Sequence, residues 1–382
     1  MNVLVLSFDY TLLLEAAATG NEARCRQFGY VQELRRKVPG SRIWIVVRSA
    51  PGMAAQSVTI AESLELYPTP SSAIGFISAA YRHGCELCSR HGIDLITSQS
   101  PFSDGLAAWL LRSRCKAKWL AQLHTSSLDN LYWLAESRGN YLRAWLGKFM
   151  LRRADAVRVV SEGAAAWLQR SLGIARDKVF VIPVGTALVA ESMPVLKERT
   201  ASQNVLFVGR FVFQKGVATL VYAFQHVKQQ CHEAILMIVG DGPEKRNLEE
   251  LRSTLGLQES VHFAGLVPYK QLPEFYTDAD VVVVPSLYEP YGRVIAEAMS
   301  FGRAVVATDT EGARDLIRDG ETGFIVPVQD VQALASKISY LLQNPQVARK
   351  VGEAARQFVK RTQDPGALCM AQVEMWLKVT GR

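Results

Sequence analysis

The stretch VVVVPSLYEPYGRVIAEAMSFGRAVVAT, residues 281–308, decides the fold. Four valines in succession do not alternate between a wet and a dry face, so 281–285 reads as a strand covered on both sides. Residues 304–308 have the same continuous apolar character. Between them come a loop carrying Glu289, a short helix with Glu297 on its second turn, and Gly302. Strand, helix and strand in this order form a unit of a parallel sheet with helices on its faces.

The same alternation runs outward to both ends of the chain. In the first half the strand candidates are 3–7, 43–47, 94–97, 118–124, 156–160 and 179–183, and in the second 205–209, 235–240, 261–265, 281–285, 304–308 and 323–326. The expected fold class is α/β, with two doubly wound parallel-sheet Rossmann-like domains. The weakest pattern, TALVAESMPVLKERTASQ at 186–203, divides the strands six and six and is the expected linker. The expected domains are 1–190 and 200–364. The final segment, 365–382, carries Leu368, Met370, Val373, Trp376 and Leu377 as an apolar face and is expected to pack back on the first domain.

A length of 382 residues suits two domains of ordinary size, and 49% hydrophobic with 21% charged residues excludes a fibrous or disordered chain. Six scattered cysteines (Cys25, Cys85, Cys88, Cys115, Cys231, Cys369) do not resemble the disulfide framework of a small secreted domain, which points to thiols in a reducing compartment. The opening MNVLVLSFDY lacks a basic leader and is broken by Asp9, so it reads as a buried strand and not a signal peptide. No apolar run approaches the roughly 18–20 residues that span a bilayer. The net charge of +7 lies wholly in residues 1–195, where 22 Lys and Arg face 15 Asp and Glu; the rest of the chain is balanced. An acidic partner for the first half is the expectation, either an anionic membrane surface or a charged acceptor.

Residues suited to phosphate and sugar chemistry gather in the second half. VLFVGRFVFQKGV, residues 205–217, is a strand ending at Gly209, a loop with Arg210 and Lys215, and a helix start. Glycine lets a ligand approach the backbone, helix N-termini attract anions, and the two cations can neutralise a diphosphate. A surface loop with two solvated cations reads equally well from this segment alone. Gly240-Asp241-Gly242-Pro243 repeats the logic at the next strand end, and by itself is a turn. Glu289 in its loop and Glu297 in its helix both reach one crevice at the strand's carboxyl end, where carboxylates suit the hydroxyls of a sugar and a ribose.

With these motifs in order, joined by 263–268 (FAGLVP) and 319–326 (DGETGFIV), the second half resembles glycosyltransferase family 4, the retaining GT-B enzymes, whose two domains face each other across a cleft. The resemblance implies that Arg210 and Lys215 bind the donor diphosphate, Glu297 the ribose and Glu289 the sugar hydroxyls. It also implies backbone contacts from Gly209, Gly240, Tyr291, Gly292, Arg293 and Val294 to sugar or phosphate, and from Leu266 and Val267 to the base. In the first half, His124 stands where the family has a histidine that touches the transferred sugar, and Gly20 is the remaining candidate for the family's glycine-rich loop. One departure is Pro183-Val184-Gly185-Thr186-Ala187, where the family has Pro-Asn-Gly-Val-Asp. It is expected to alter the domain junction and not to abolish catalysis.

Three other signals resemble chemistry. Cys85-Glu86-Leu87-Cys88 has redox or zinc spacing but lacks a second pair, and reads as thiols on a helix. Asp278-Ala279-Asp280 fits a metal-binding pattern of another glycosyltransferase fold, but it precedes a buried strand and is read as no metal site. Residues 142–153 place Leu142, Trp145, Leu146, Phe149 and Met150 at helical spacing among Arg143, Lys148, Arg152 and Arg153. Such a helix lies on an anionic membrane or packs on the first-domain sheet.

The expected function is retaining transfer of a sugar from a nucleoside-diphosphate sugar to a polysaccharide, lipid-linked or other glycan acceptor. The donor is a co-substrate, with no cofactor, no metal and no nucleic acid. The alternative is a catalytically idle homologue that binds a nucleotide sugar as an accessory subunit. A Rossmann oxidoreductase is excluded because neither half opens with Gly-x-Gly-x-x-Gly. The expected location is the cytoplasm or the inner face of a membrane.

Overall fold

The computed structural model describes residues 1–13, 22–49, 56–125, 127–185 and 203–382. The chain divides into two compact units, Met1–Val184 with Gly366–Arg382, and Gly185–Pro365. The linker expected at 186–203 lies, apart from its last residue, outside the described residues.

In the first unit the strands are β1 (Asn2–Ser7), β2 (Arg42–Ser49), β3 (Val58–Ala61), β4 (Leu64–Pro70), β5 (Leu95–Ser98), β6 (Lys118–Leu123), β7 (Ala156–Val159) and β8 (Val179–Val181). The helices between them are α1 (Glu22–Lys37), α2 (Gly75–His91), α3 (Ser103–Cys115), α4 (Leu131–Ala135), α5 (Gly139–Leu151) and α6 (Glu162–Leu172). Among the described residues these strands form one sheet in the order β3-β4-β2-β1-β5-β6-β7-β8, parallel except for the β3/β4 pair. Local chemistry fixes the turns: Ser161 accepts a hydrogen bond at Oγ from the Ala164 amide at 3.1 Å, capping α6.

The hairpin β3/β4 was not among the expected strands. Pro68 and Pro70 argue against a strand in sequence, because proline has no amide to give a ladder. The pairing resolves this: β3 covers only Leu64–Leu66 of β4, so both prolines extend past it while β4 pairs with β2 on its other edge.

The second unit contains β9 (Asn204–Val208), β10 (Ile235–Val239), β11 (Val261–Gly265), β12 (Val281–Val284), β13 (Ala304–Thr308) and β14 (Phe324–Val326). Its helices are α7 (Val217–Gln230), α8 (Lys245–Thr254), α9 (Leu272–Asp278), α10 (Arg293–Ser300), α11 (Glu311–Leu316), α12 (Val331–Gln343) and α13 (Pro345–Thr362). The order is β11-β10-β9-β12-β13-β14, parallel throughout. Each sheet reverses its winding beside its first strand, between β1 and β5 and between β9 and β12. In doubly wound sheets the crevice at the carboxyl ends of those strands receives ligands.

Apolar clusters cover both faces of each sheet. The last helix, α14 (Pro365–Thr380), belongs to the first unit, where Val373, Met375 and Trp376 are buried. Full burial of such side chains stabilises by about 1.5–3 kcal/mol each. Met370, expected on this apolar face, is 41% exposed, and Gln372 is buried in its stead. Trp376 meets Tyr30 of α1 edge-on at 5.6 Å, and Lys37 pairs with Glu374 at 2.7 Å.

The cysteines depart from expectation. Cys88 of α2 is joined to Cys115 at the end of α3 by a disulfide, with Cα atoms 5.6 Å apart. The pairing depends on two helices packed side by side, which a separation of 27 positions does not disclose.

Candidate active site

At the carboxyl end of β9 the chain passes through Gly209 to an exposed Arg210, then turns inward at Phe211. Phe211 is fully buried, and its amide donates to the Asp241 carbonyl at 2.8 Å, so the loops after β9 and β10 are tied together. Gly240 permits that closeness, since a Cβ there would lie 1.9 Å from the Gly209 carbonyl oxygen. Gly216, which caps α7 with φ of 62°, likewise brings this loop against β12: a Cβ would fall 2.1 Å from the Pro285 carbonyl oxygen. The Leu287 amide completes the join by donating to the Gln214 carbonyl at 2.8 Å.

This backbone packing sets Lys215 against Glu289. The Lys215 ammonium donates to Glu289 Oε2 at 2.5 Å, and the Gly292 amide, at the start of α10, donates to Oε1 at 3.1 Å. Glu289 is nearly buried, while Lys215 keeps about a quarter of its side chain in solvent. Such charge-assisted bonds hold a carboxylate ionised and oriented.

Glu297 lies deeper, 2% exposed. Tyr276 of α9 donates to its Oε2 at 2.7 Å, Arg293 to its Oε1 at 2.8 Å, and Tyr269 reaches Oε1 at 3.5 Å. Burial, and then the neighbouring Glu297 charge, push the Tyr276 hydroxyl well above the ordinary phenol range, so it remains a donor. Tyr269 ties the loop holding the exposed Leu266 and half-buried Val267 to this carboxylate. Tyr291 turns its hydroxyl to Gln363 at 2.6 Å, which leaves its backbone, with those of Gly292, Arg293 and half-buried Val294, as the part at the helix start.

Tyr269, Tyr276 and Gln363 were not foreseen. A tyrosine at a helical apolar position looks like core, and only its hydroxyl's partner reveals a second role. Asp278 and Asp280 lie at the other end of the sheet. Asp280 there accepts from the Asn204 amide at 2.8 Å, which accounts for it as a strand-to-strand tie.

In the first unit, the carboxyl ends of β1, β5 and β6 enclose a recess of about 220 Å³, with His124 on its wall. Beneath it, the buried Arg158 guanidinium donates to Gln122 Oε1 at 3.0 Å and to the Ile182 and Pro183 carbonyls at 3.0–3.2 Å. Gln122 donates in turn to Thr97 Oγ1 at 3.0 Å. His124 is exposed, yet it stands on a concave wall with protein at short range. That enclosure, followed by the charges of Arg158 and Arg26, pushes its pKa down, so the imidazole is neutral at pH 7. Gly20, Thr186 and Ala187 lie outside the described residues.

The class of protein defined by two such sheets and this pair of switch points is shared with known sugar transferases. Residues 190–358 match the family profile described as Glycosyl transferases group 1, and residues 30–188 match Glycosyltransferase Family 4. A phosphatidyl-myo-inositol mannosyltransferase of Mycobacterium leprae is 33% identical over 70% of this chain and 69% of its own. The chain belongs to glycosyltransferase family 4. An alpha-D-kanosaminyltransferase of Streptomyces kanamyceticus is 29% identical over 55% of this chain, and the match spans only 57% of that relative's length. Among solved structures, sucrose-phosphate synthase from Thermosynechococcus elongatus superposes with a TM-score of 0.83 at 25% identity, covering 100% of this chain and 99% of that one. Anabaena HepE, solved with UDP and glucose, gives a TM-score of 0.73 at 19% identity over 99% of both chains. The fold is that of the GT-B glycosyltransferases, and the protein is a transferase.

Proposed function

We propose that this glycosyltransferase moves a sugar from a nucleoside-diphosphate donor to a glycan or lipid-linked acceptor, with retention at the anomeric carbon and without a metal ion or other cofactor. The observation that carries the reading is the Lys215–Glu289 pair, 2.5 Å apart at the β9/β12 switch point with Arg210 exposed beside it in sequence. Arg210 and Lys215 neutralise the departing diphosphate, assisted by backbone amides at the start of α10. Glu289 accepts from the sugar hydroxyls, and Glu297, held rigid by Tyr276 and Arg293, accepts from the ribose. Leu266 and Val267 offer backbone to the base, as do Gly209 and Gly240 to the phosphates, and neutral His124 touches the transferred sugar. The acceptor hydroxyl attacks from the face that the diphosphate leaves, and its proton passes to the leaving phosphate oxygen. HepE's complex with UDP supports a nucleotide sugar as the donor. Screening nucleoside-diphosphate sugars by thermal shift, then by donor hydrolysis without acceptor, tests this. One donor should raise Tm and be slowly hydrolysed, and stabilisation without hydrolysis or transfer would favour the idle homologue.

A second part of the reading concerns location, at the inner face of a membrane. Among the described residues no helix is long and apolar enough to cross one. The expected apolar stripe of α5 is divided by packing: Met150 is buried, whereas Leu142 and Trp145 are 68% and 64% exposed. Exposed Leu131 and Tyr141 extend this patch, and exposed Arg138, Arg143, Arg152 and Arg153 belong to the same segment. Large apolar side chains in water beside cations suit an anionic lipid surface. Vesicles with anionic lipid should sediment the protein, and Trp145→Ala with Arg143→Glu should release it; unchanged sedimentation would refute the contact.

A further inference from the structure

Three cysteines of the first unit come together where α2 and α3 end. Cys88 of α2 and Cys115 of α3 are disulfide-bonded with Cα atoms 5.6 Å apart, and Cys85, one turn back from Cys88 on the same helix, is a free thiol. Residues three apart on a helix share a face, so Cys85 lies on the side of α2 that carries the bond. Its surroundings agree. The Tyr81 hydroxyl is hydrogen-bonded to Cys85, and the charge of Arg114, the residue before Cys115, acts on the same hydroxyl.

The bond is accessible and dispensable, the two conditions for a disulfide that opens in the folded protein. Cys85, Cys88 and Cys115 are all half-buried, so a thiol from solution reaches the sulfurs. Packing holds the helices without the bond: a side chain at Gly84 would collide with the Leu111 methyl groups, and Phe76, Ala80, Ala107 and Ala108 are fully buried in the same cluster. Arg112 anchors the end of α3 separately, donating to the Arg153 carbonyl at 2.9 Å and to Asp155 at 2.8 Å. A unit with such a core differs from the small secreted domains that fold only when stapled.

The third thiol adds a way to move the bond. Cβ atoms three apart on a helix stand about 5–6 Å from each other, and a disulfide needs about 3.5–4.5 Å. Cys88 lies in the last turn of α2, which stops at Gly92 with φ of 62°, and opening that turn closes the gap. The Cys85 thiolate then attacks Cys88 Sγ. The Cys85–Cys88 bond forms as the Cys88–Cys115 bond breaks, and Cys115 leaves as a thiolate that takes up the proton Cys85 lost. No electrons are gained or lost. The cross-link between two helices becomes a link within one, and α3 is released from α2. A dithiol in solution supplies the two electrons and two protons that open the second bond, and is itself oxidised to a disulfide.

We propose that Cys85, Cys88 and Cys115 form a thiol–disulfide exchange site that takes small thiols and dithiols, with Cys85 as the resolving thiol. The site uses none of the residues assigned to sugar transfer and stands independently of that reading.

The test uses the full chain, oxidised in air and freed of reductant. With reduced glutathione at about 0.1 mM, an internal thiol at an effective concentration on the order of 1 mM attacks about tenfold more often than the added one. N-ethylmaleimide should therefore capture Cys115 about tenfold faster in the original protein than in Cys85→Ser. Trypsin cuts after Arg82 and Arg90, so Cys85 and Cys88 leave in one peptide, 83–90. Mass spectrometry should find this peptide bridged to Cys115 before exchange and closed on itself afterwards. Cys115→Ser treated with oxidised glutathione should give the same closed peptide, and the fully reduced protein should keep its far-UV circular dichroism. Absence of the Cys88–Cys115 bridge, equal capture rates, a glutathione adduct that persists on Cys88 in Cys115→Ser, or loss of helical signal on reduction would each overturn the proposal.

Discussion

The two switch points of this chain are built on opposite principles. At the end of β9 and β12 the charged groups already satisfy one another: Lys215 with Glu289, and Glu297 with Tyr276 and Arg293. At the end of β1 and β5 the recess is lined by residues whose buried amides and indole have no partner among the described residues, beside a histidine kept neutral. A pre-paired site suits a ligand whose charge is always the same, since a diphosphate replaces one counter-ion arrangement with another at little reorganisation.

The largest expected effect breaks the paired site. Lys215→Ala should lower transfer by roughly 10²–10³-fold, the scale of losing one preorganised charge-stabilising donor, with the circular dichroism spectrum intact. Turnover near the original rate would remove Lys215 from the diphosphate. Next comes the support of Glu297. Tyr276→Phe deletes a hydrogen bond to a buried carboxylate, worth about 1.5–3 kcal/mol, and should lower Tm by several degrees while raising the donor KM more than it lowers kcat. A fall in kcat alone would mean that Glu297 does not position the donor.

The smallest effect sharpens the contrast in protonation. His124 titrates below its ordinary value of 6.5, so transfer should show no inflection near pH 6.5. Its sign for stability is that of a lowered base: the contribution is complete above pH 6.5 and is lost as pH falls toward the folded-state pKa. Urea midpoints should therefore decline on acidification below pH 6.5, and less steeply in His124→Gln. A rate limb centred near pH 6.5 that vanishes in this variant would show an ordinary, solvated histidine.

The α/β class was legible because Val281–Val284 and its counterparts are too continuously apolar for a half-exposed strand. The hairpin β3/β4 was not, since its prolines are acceptable only where one edge lacks a partner. Gly209, Lys215, Glu289 and Glu297 drew notice through residue type and order along the chain. Tyr276 and Gln372 did not, because a tyrosine and a glutamine on helices give no sign of what their polar ends meet.

Sequence alone determined the alternation of buried strands and helices, the family and the residues suited to phosphates and hydroxyls, since these follow from local periodicity and from motifs a few residues long. Tertiary structure decided that Lys215 and Glu289, 74 positions apart, lie 2.5 Å from each other. It also decided that Cys88 bonds Cys115, and that a glutamine near the C-terminus lines a recess floored by the first strands. Pairings of this kind depend on sheet order and helix packing, which no local window of sequence contains.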